Sequence, residues 1–151
     1  MSPTLYCTFR SAGQLYGVPI LDVKEVTTET TCTRIPHAPP EVQGYVNIRG
    51  HVFLALDIRR LLGLPGETTQ ADRRLVIFKA TVGPSFGVLV DEIGDIVSVT
   101  PEQTEQFRSK NPDTEIRDRN ELVSRLCKLP EVLLIVLDPR RFLGVVERSF
   151  L

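Results

Sequence analysis

The sequence predicts a mainly β protein: two pseudo-repeated, five-stranded β-barrels set side by side in a single domain over 1–151, with short helical turns. Two observations carry most of that prediction. Short runs rich in Val, Ile, Leu and aromatic residues are separated by turn residues along the whole chain. And one stretch is written twice, as FLALDIRRLLGL at 53–64 and as LIVLDPRRFLGV at 134–145.

The repeat extends upstream. YGVPILDVKEV at 16–26 and FGVLVDEIGDI at 86–96 share aromatic-Gly-Val, matching apolar positions, and an acid before a β-branched residue. Both elements recur in the same order, so the chain reads as two copies of one unit. Their expected bounds are about 5–64 and 74–146, with the other terminus available to complete the first. Extra residues in the second copy fall in 101–120, PEQTEQFRSKNPDTEIRDRN, which is polar and lacks a sustained apolar period. It is expected as a surface loop or one short helix.

The strand candidates of the first copy are LYCTF, YGVPIL, EVTT, YVNI and HVFLAL; those of the second are RLVIFKA, FGVLV, IVSV and VLLIVL. A unit of about 60 residues with five short strands and no long helix removes its exposed edges most simply by closing into a small barrel. After the last strand of each copy, Asp57 or Asp138 is expected to cap a one-turn helix by accepting from its first amides. Pro139 suits the first helical position, and Gly63 and Gly144 are expected to stop the turns. Leu61, Leu62, Phe142 and Leu143 would then close the barrel mouths.

Composition removes several functional classes. Hydrophobic residues are 42% and charged residues 25% of the chain, the balance of an ordinary soluble globular protein. Lys and Arg number 18 against 19 Asp and Glu, so no bulk field draws in nucleic acid or an anionic membrane. No window reaches the roughly 18 apolar residues that span a bilayer. The N-terminus shows no basic run followed by an apolar stretch, and the expected location is cytoplasmic. Cys7, Cys32 and Cys127 are an odd number without CxxC spacing, and His37 and His51 stand alone. Free thiols, no metal site and no cofactor are the expectation.

An element present in both copies reads as fold; one present in a single copy is a better candidate for function. The first copy has GYVNIRGHVFLALD, where two β runs flank Asn47-Ile48-Arg49-Gly50 and Gly50 can take the positive φ of a tight turn. The second copy has LCKLPEVLLIVLD instead. Arg49 therefore has no counterpart. Glu25 and Arg49 on a shared face, with exposed Val and Ile beside them, would make a protein-binding surface.

The stretch VQGYVNIRGHVFLALDIRRLLGL at 42–64, with YGVPILDVKEV and TRIPHAPP before it and FGVLVDEIGDIVSV after it, closely resembles the CheW-like family of bacterial chemotaxis adaptors. The resemblance covers roughly 6–100 and 131–146. It implies a pair of SH3-like barrels and a non-enzymatic coupling protein. That protein bridges the cytoplasmic tips of chemoreceptors (methyl-accepting chemotaxis proteins) to the regulatory domain of a CheA-type histidine kinase, at receptor arrays on the inner face of the membrane. Receptor tips are implied to lie in the groove between the halves. The implied protein-binding positions are Val23, Glu25, Gly44, Asn47, Arg49 and Gly50, with Val90 and Asp91 from the second half. The chain departs from the family in having no glycine between Gly94 and Gly144, where Ser124 and Arg125 stand. The groove is expected to differ on that side. An adaptor of pilus motility or another chemosensory pathway would carry the same features.

Two other functional classes fit the residues less well. An enzyme would need a nucleophile with its base, paired carboxylates or metal ligands. The acids at hand are Asp22, Glu25, Asp57, Asp91, Glu92, Asp95 and Asp138, two of them caps, and neither a GxSxG elbow nor a GxxxxGK[ST] loop is present. No catalytic residue is expected. A nucleic-acid-binding barrel would use aromatics and cations. Aromatics are 7% with no Trp, Tyr16 and Phe86 read as core, and Arg59, Arg60, Arg140 and Arg141 read as solvated helix-end cations.

Overall fold

The computed structural model of the chain describes residues 3–68, 71–106 and 119–149. The strands are β1 (Thr4–Ser11), β2 (Gln14–Pro19), β3 (Val23–Thr27), β4 (Val42–Ile48), β5 (His51–Asp57), β6 (Arg74–Phe78), β7 (Phe86–Val90), β8 (Glu92–Val99), β9 (Thr104–Gln106), β10 (Val123–Lys128) and β11 (Leu133–Leu137). The helices are α1 (Ile58–Leu61) and α2 (Phe142–Ser149), with 3-10 turns at Ile20–Asp22, Pro101–Gln103, Arg119–Leu122 and Pro139–Arg141. Every expected β run contributes to a strand. Two strands carry no clear sequence signal: β9 inside the polar segment, and β10, whose VSRLCK buries only Cys127 fully. Residues 107–118, most of the expected surface loop, lie outside the described residues.

The strands form a five-stranded sheet ordered β3-β6-β7-β5-β4 and a six-stranded sheet ordered β8-β1-β2-β11-β10-β9. The barrels are therefore cut differently from the repeat. Barrel one is the continuous stretch 23–90, and barrel two joins 4–19 to the strands from 92 onward. The copies at 5–64 and 74–146 exchange their first hairpins, and it is the N-terminal hairpin that completes the second barrel. The cause lies in the strands themselves. β1, β2, β6 and β7 are apolar on both faces, so each hairpin must sit mid-sheet with both faces covered. The β1–β2 hairpin lies between β8 and β11, with β2 parallel to β11, and the β6–β7 hairpin lies between β3 and β5, with β7 parallel to β5.

Period-two alternation sorts those side chains into three cores. Val46, Phe53, Ala55, Leu75, Ile77 and Leu89 fill the inside of barrel one. β4 and β6 are not neighbours in the sheet, yet share this cluster, which requires the sheet to roll upon itself. Tyr6, Leu15, Val99, Cys127, Leu134 and Val136 do the same in barrel two, where β8 and β10 meet across the interior. The opposite faces of the exchanged hairpins make the third core, between the barrels. There Phe9, Tyr16 and Val18 meet Phe78, Phe86 and Val88, and Phe78 packs edge-on against Phe142 with ring centroids 5.8 Å apart.

Both caps form. The Asp57 Oδ1 accepts from the Arg59 amide at 2.9 Å, and the Asp138 Oδ1 from the Arg140 amide at 3.1 Å. Gly63 ends α1 at φ 72°. Gly144 does not stop its turn. The helix runs on to Ser149 because Phe142, Val145 and Val146, spaced i, i+3, i+4, are buried in the central core. Their burial outweighs the ~1 kcal/mol that glycine costs in a helix interior. Leu61 and Phe142 likewise enter the core between the barrels rather than closing separate mouths.

Candidate functional site

The turn between β4 and β5 is the element without a counterpart. Ile48 pairs with His51, leaving Arg49 and Gly50 as a two-residue loop with φ 51° and 86°. Positive φ at both positions defines a type I′ turn, whose twist matches the flanking strands. Gly50 adopts that φ freely. Arg49 does so at a cost of roughly 1–2 kcal/mol. The Asn47 Oδ1 accepts from the Gly50 amide at 3.0 Å and fixes the loop.

The strained residue reaches across the barrel. Arg49 Nη2 lies 2.7 Å from Glu25 Oε1 on β3, with side-chain exposures of 71% and 28%. β3 and β4 are the two edges of the five-stranded sheet, so this pair spans its seam. Lys24 also crosses the barrel, its Nζ 5.7 Å from the centroid of the Phe53 ring. An exposed ion pair contributes about 0–1 kcal/mol, no more than the turn strain consumes. Stability therefore does not account for an arginine here. A charged group held in a fixed place at the barrel surface does.

Its surroundings suit an interface. On the outer face of the β4–β5 hairpin, Tyr45, Asn47 and Val52 are exposed while Val46, Ile48 and Phe53 point inward. Val52 is 53% exposed and pairs with Asn47; Val26, beside Glu25 on β3, is also exposed. Gly44 underlies the same hairpin. It sits at a bulge with φ 147°, and a Cβ there would lie 2.2 Å from the Thr33 carbonyl oxygen. That approach allows Thr33 and Tyr45 to exchange two backbone hydrogen bonds of 2.9 Å, which seat the 28–41 segment on β4.

The anticipated residues thus separate by role. Glu25, Asn47, Arg49 and Gly50 come together at the surface, with Gly44 as their backbone support. Val23 is half-buried against the central core, and Val90 is fully buried within it. Asp91 is 4% exposed and takes a two-pronged contact from Arg59, at 2.9 Å from Nε and 2.7 Å from Nη2 to Oδ2. Val90 and Asp91 therefore present no side chain to a partner and act, at most, by support.

Arg59 and Arg140 differ from the solvated cations expected at helix ends. Both are ion-paired: Arg59 to Asp91, and Arg140 Nη1 to Asp22 Oδ2 at 2.9 Å. Hydrogen bonding to these carboxylates raises both guanidinium pKa values further. The repeated LDxRR, with an acid after each aromatic-Gly-Val, is the signal for both pairs; at equal spacing Asp22 falls opposite Glu92, one residue past Asp91, the partner that Arg59 takes. Burial raises the Cys7, Cys32 and Cys127 thiol pKa values, disfavouring thiolates. Among the described residues no helix is long and apolar enough to cross a membrane.

A family profile described as CheW-like domain matches residues 5–147. The chain belongs to the CheW-like family. A probable chemotaxis protein CheW of Rhizobium etli is 35% identical over 62% of this chain and 60% of its own length, so that match spans about three fifths of the relative. The chemotaxis protein CheW of Klebsiella aerogenes is 27% identical over 95% of this chain and 84% of that one, and the Bacillus subtilis CheW is 27% identical over 86% and 80%. The crystal structure of the scaffolding protein TtCheW from Thermoanaerobacter tengcongensis superposes with a TM-score of 0.76 at 25% identity, covering 89% of this chain and 88% of that one. The two-sheet architecture is thus the CheW-like fold, and the chain is a member of a chemotaxis adaptor and scaffold family.

Proposed function

We propose that this CheW-like protein couples chemoreceptor cytoplasmic tips to a CheA-type histidine kinase by protein–protein binding, without catalysis of its own, in the cytoplasm at receptor arrays. The observation that carries the reading is the Glu25–Arg49 pair. A mostly exposed arginine, held in a strained backbone conformation and oriented by a carboxylate across the barrel seam, sits beside exposed Tyr45 and Val52. Apolar area flanked by an oriented charge is the composition of a protein interface. Membership of a chemotaxis adaptor and scaffold family supports reading that interface as a chemosensory one.

Calorimetric titration of the protein with the kinase regulatory domain, then with a receptor-tip fragment, tests the proposal. Saturable binding to both is expected. Arg49→Ala is expected to weaken one of them by at least about tenfold, the lower end of a charge-assisted contact. Binding to neither partner sinks the proposal and leaves the family assignment standing.

A further inference from the structure

Strand order requires the chain to pass between the two barrels twice: from β2 to β3 through Ile20–Asp22, and from β7 to β8 through Asp91. A buried aspartate stands at each passage, and each is fastened to both barrels. Asp91 takes Arg59 from barrel one and, at 3.3 Å, the Ala12 amide from the β1–β2 turn of barrel two. The Asp22 carboxylate takes Arg140 from barrel two, while its carbonyl accepts from the Lys79 amide of barrel one at 2.9 Å. The two arginines follow the two helix caps, so both fastenings come from the repeated LDxRR turn.

The fastenings are unequal. Arg59 is 19% exposed, meets both Asp91 oxygens and also donates to the Pro65 carbonyl at 3.1 Å. Arg140 is 51% exposed and holds Asp22 through one 2.9 Å contact. The apolar core between the barrels resists their separation, but burial is non-directional, whereas an ion pair with a fixed donor direction specifies an angle.

We propose that Asp22 and Arg140 are a positioning pair that sets the angle between the barrels, with the Asp91 passage as the pivot. The pair acts through the relative placement of the two barrels and not as a partner contact. Its consequence for receptor binding rests on the adaptor reading above; its consequence for the angle does not.

Residual dipolar couplings of the whole protein decide the matter, fitted separately for 23–68 with 71–90 and for 4–19 with 92–106 and 123–137. One alignment tensor is expected to fit both barrels of the wild type. In Arg140→Ala the common fit is expected to be lost, and in Arg140→Lys, which restores the charge, it is expected to return. A common tensor in Arg140→Ala, with the barrels at the wild-type angle, overturns the proposal. Should that variant not fold, Arg140→Gln keeps most of the side-chain bulk, and an unchanged common tensor in it overturns the proposal equally. Titration of the same proteins with the receptor-tip fragment separates the two ideas. Absence of binding to the wild type defeats the adaptor reading, while the tensors still decide the role of Arg140.

Discussion

The two barrels are built by one set of rules and finished by different ones. In both, a hairpin from the other repeat copy lies mid-sheet, the last strand of the repeat copy (β5 or β11) leads into an aspartate cap, and an arginine two residues later holds an aspartate at a passage between barrels. They part at the hairpin that includes that strand, β4–β5 in barrel one and β10–β11 in barrel two. Barrel one has a two-residue turn whose arginine reaches over the seam to Glu25. Barrel two has a longer turn closed by the Leu129 amide on the Val132 carbonyl at 3.0 Å, and its ion pair, Lys128 to Glu105 at 2.8 Å, joins the neighbouring strands β10 and β9. What is shared holds the fold; the Arg49 turn, confined to barrel one, is exposed, strained and of little help to stability, and it is the surface proposed for binding.

The comparison breaks most sharply at the bulges. Gly44 faces Ala55 after a register shift, and Arg125 faces Val136 after the matching shift in barrel two. Only Gly44 has a positive φ and a carbonyl pressed into the space of its missing Cβ. Gly44→Ala is expected to cost about 3 kcal/mol or more, since backbone strain and a backbone clash coincide. Arg125→Ala, which loses a marginal 3.4 Å contact to the Tyr6 hydroxyl, is expected to shift the urea midpoint little. Equal losses in the two variants would show that barrel one has no special need for its glycine.

Next in size come the caps. Asp57 is fully buried and accepts from the Arg59 and Thr68 amides, the Thr68 hydroxyl and the Gln43 side chain. Asp138 accepts from the Arg140 amide and makes a 3.4 Å ion pair with Arg141. Asp57→Ala orphans several buried donors and is expected to cost about 2–3 kcal/mol. Asp138→Ala is expected to cost about 1 kcal/mol, as for an ordinary cap. The difference between denaturation midpoints measures how far barrel one leans on the 64–68 loop that Asp57 gathers in.

Much of this was visible in the residues. Alternating apolar runs, the twice-written LDxRR turn and the unmatched Asn47-Ile48-Arg49-Gly50 announce strands, caps and a candidate surface, because each is a local signal. The hairpin exchange was not visible, since pairing between β2 and β11 or between β5 and β7 joins residues far apart in sequence. A repeat fixes the order of elements and leaves open which copy supplies a strand's neighbour. Gly144 misled for a related reason: its local stop signal is overruled by Val145 and Val146, whose burial depends on the distant Phe78 side of the core. Arg59 and Arg140 looked like solvated cations because their carboxylates come from the other end of a crossover.

The smallest effect on stability separates fold from function most cleanly. Arg49→Gly removes the strain of a side chain at φ 51° but adds freedom to the unfolded chain, and these opposing contributions are each about 1 kcal/mol. The melting temperature is therefore expected to move little, and the exposed pair with Glu25 adds little more to the loss. Lys128→Ala in barrel two is expected to be equally quiet. The two variants should differ in calorimetry, where Arg49→Gly weakens a partner by about tenfold or more and Lys128→Ala leaves both partners bound. If Arg49→Gly instead lowers stability by several kcal/mol and spares binding, the ion pair is a structural closure of the barrel, and the difference between the two hairpins is one of construction alone.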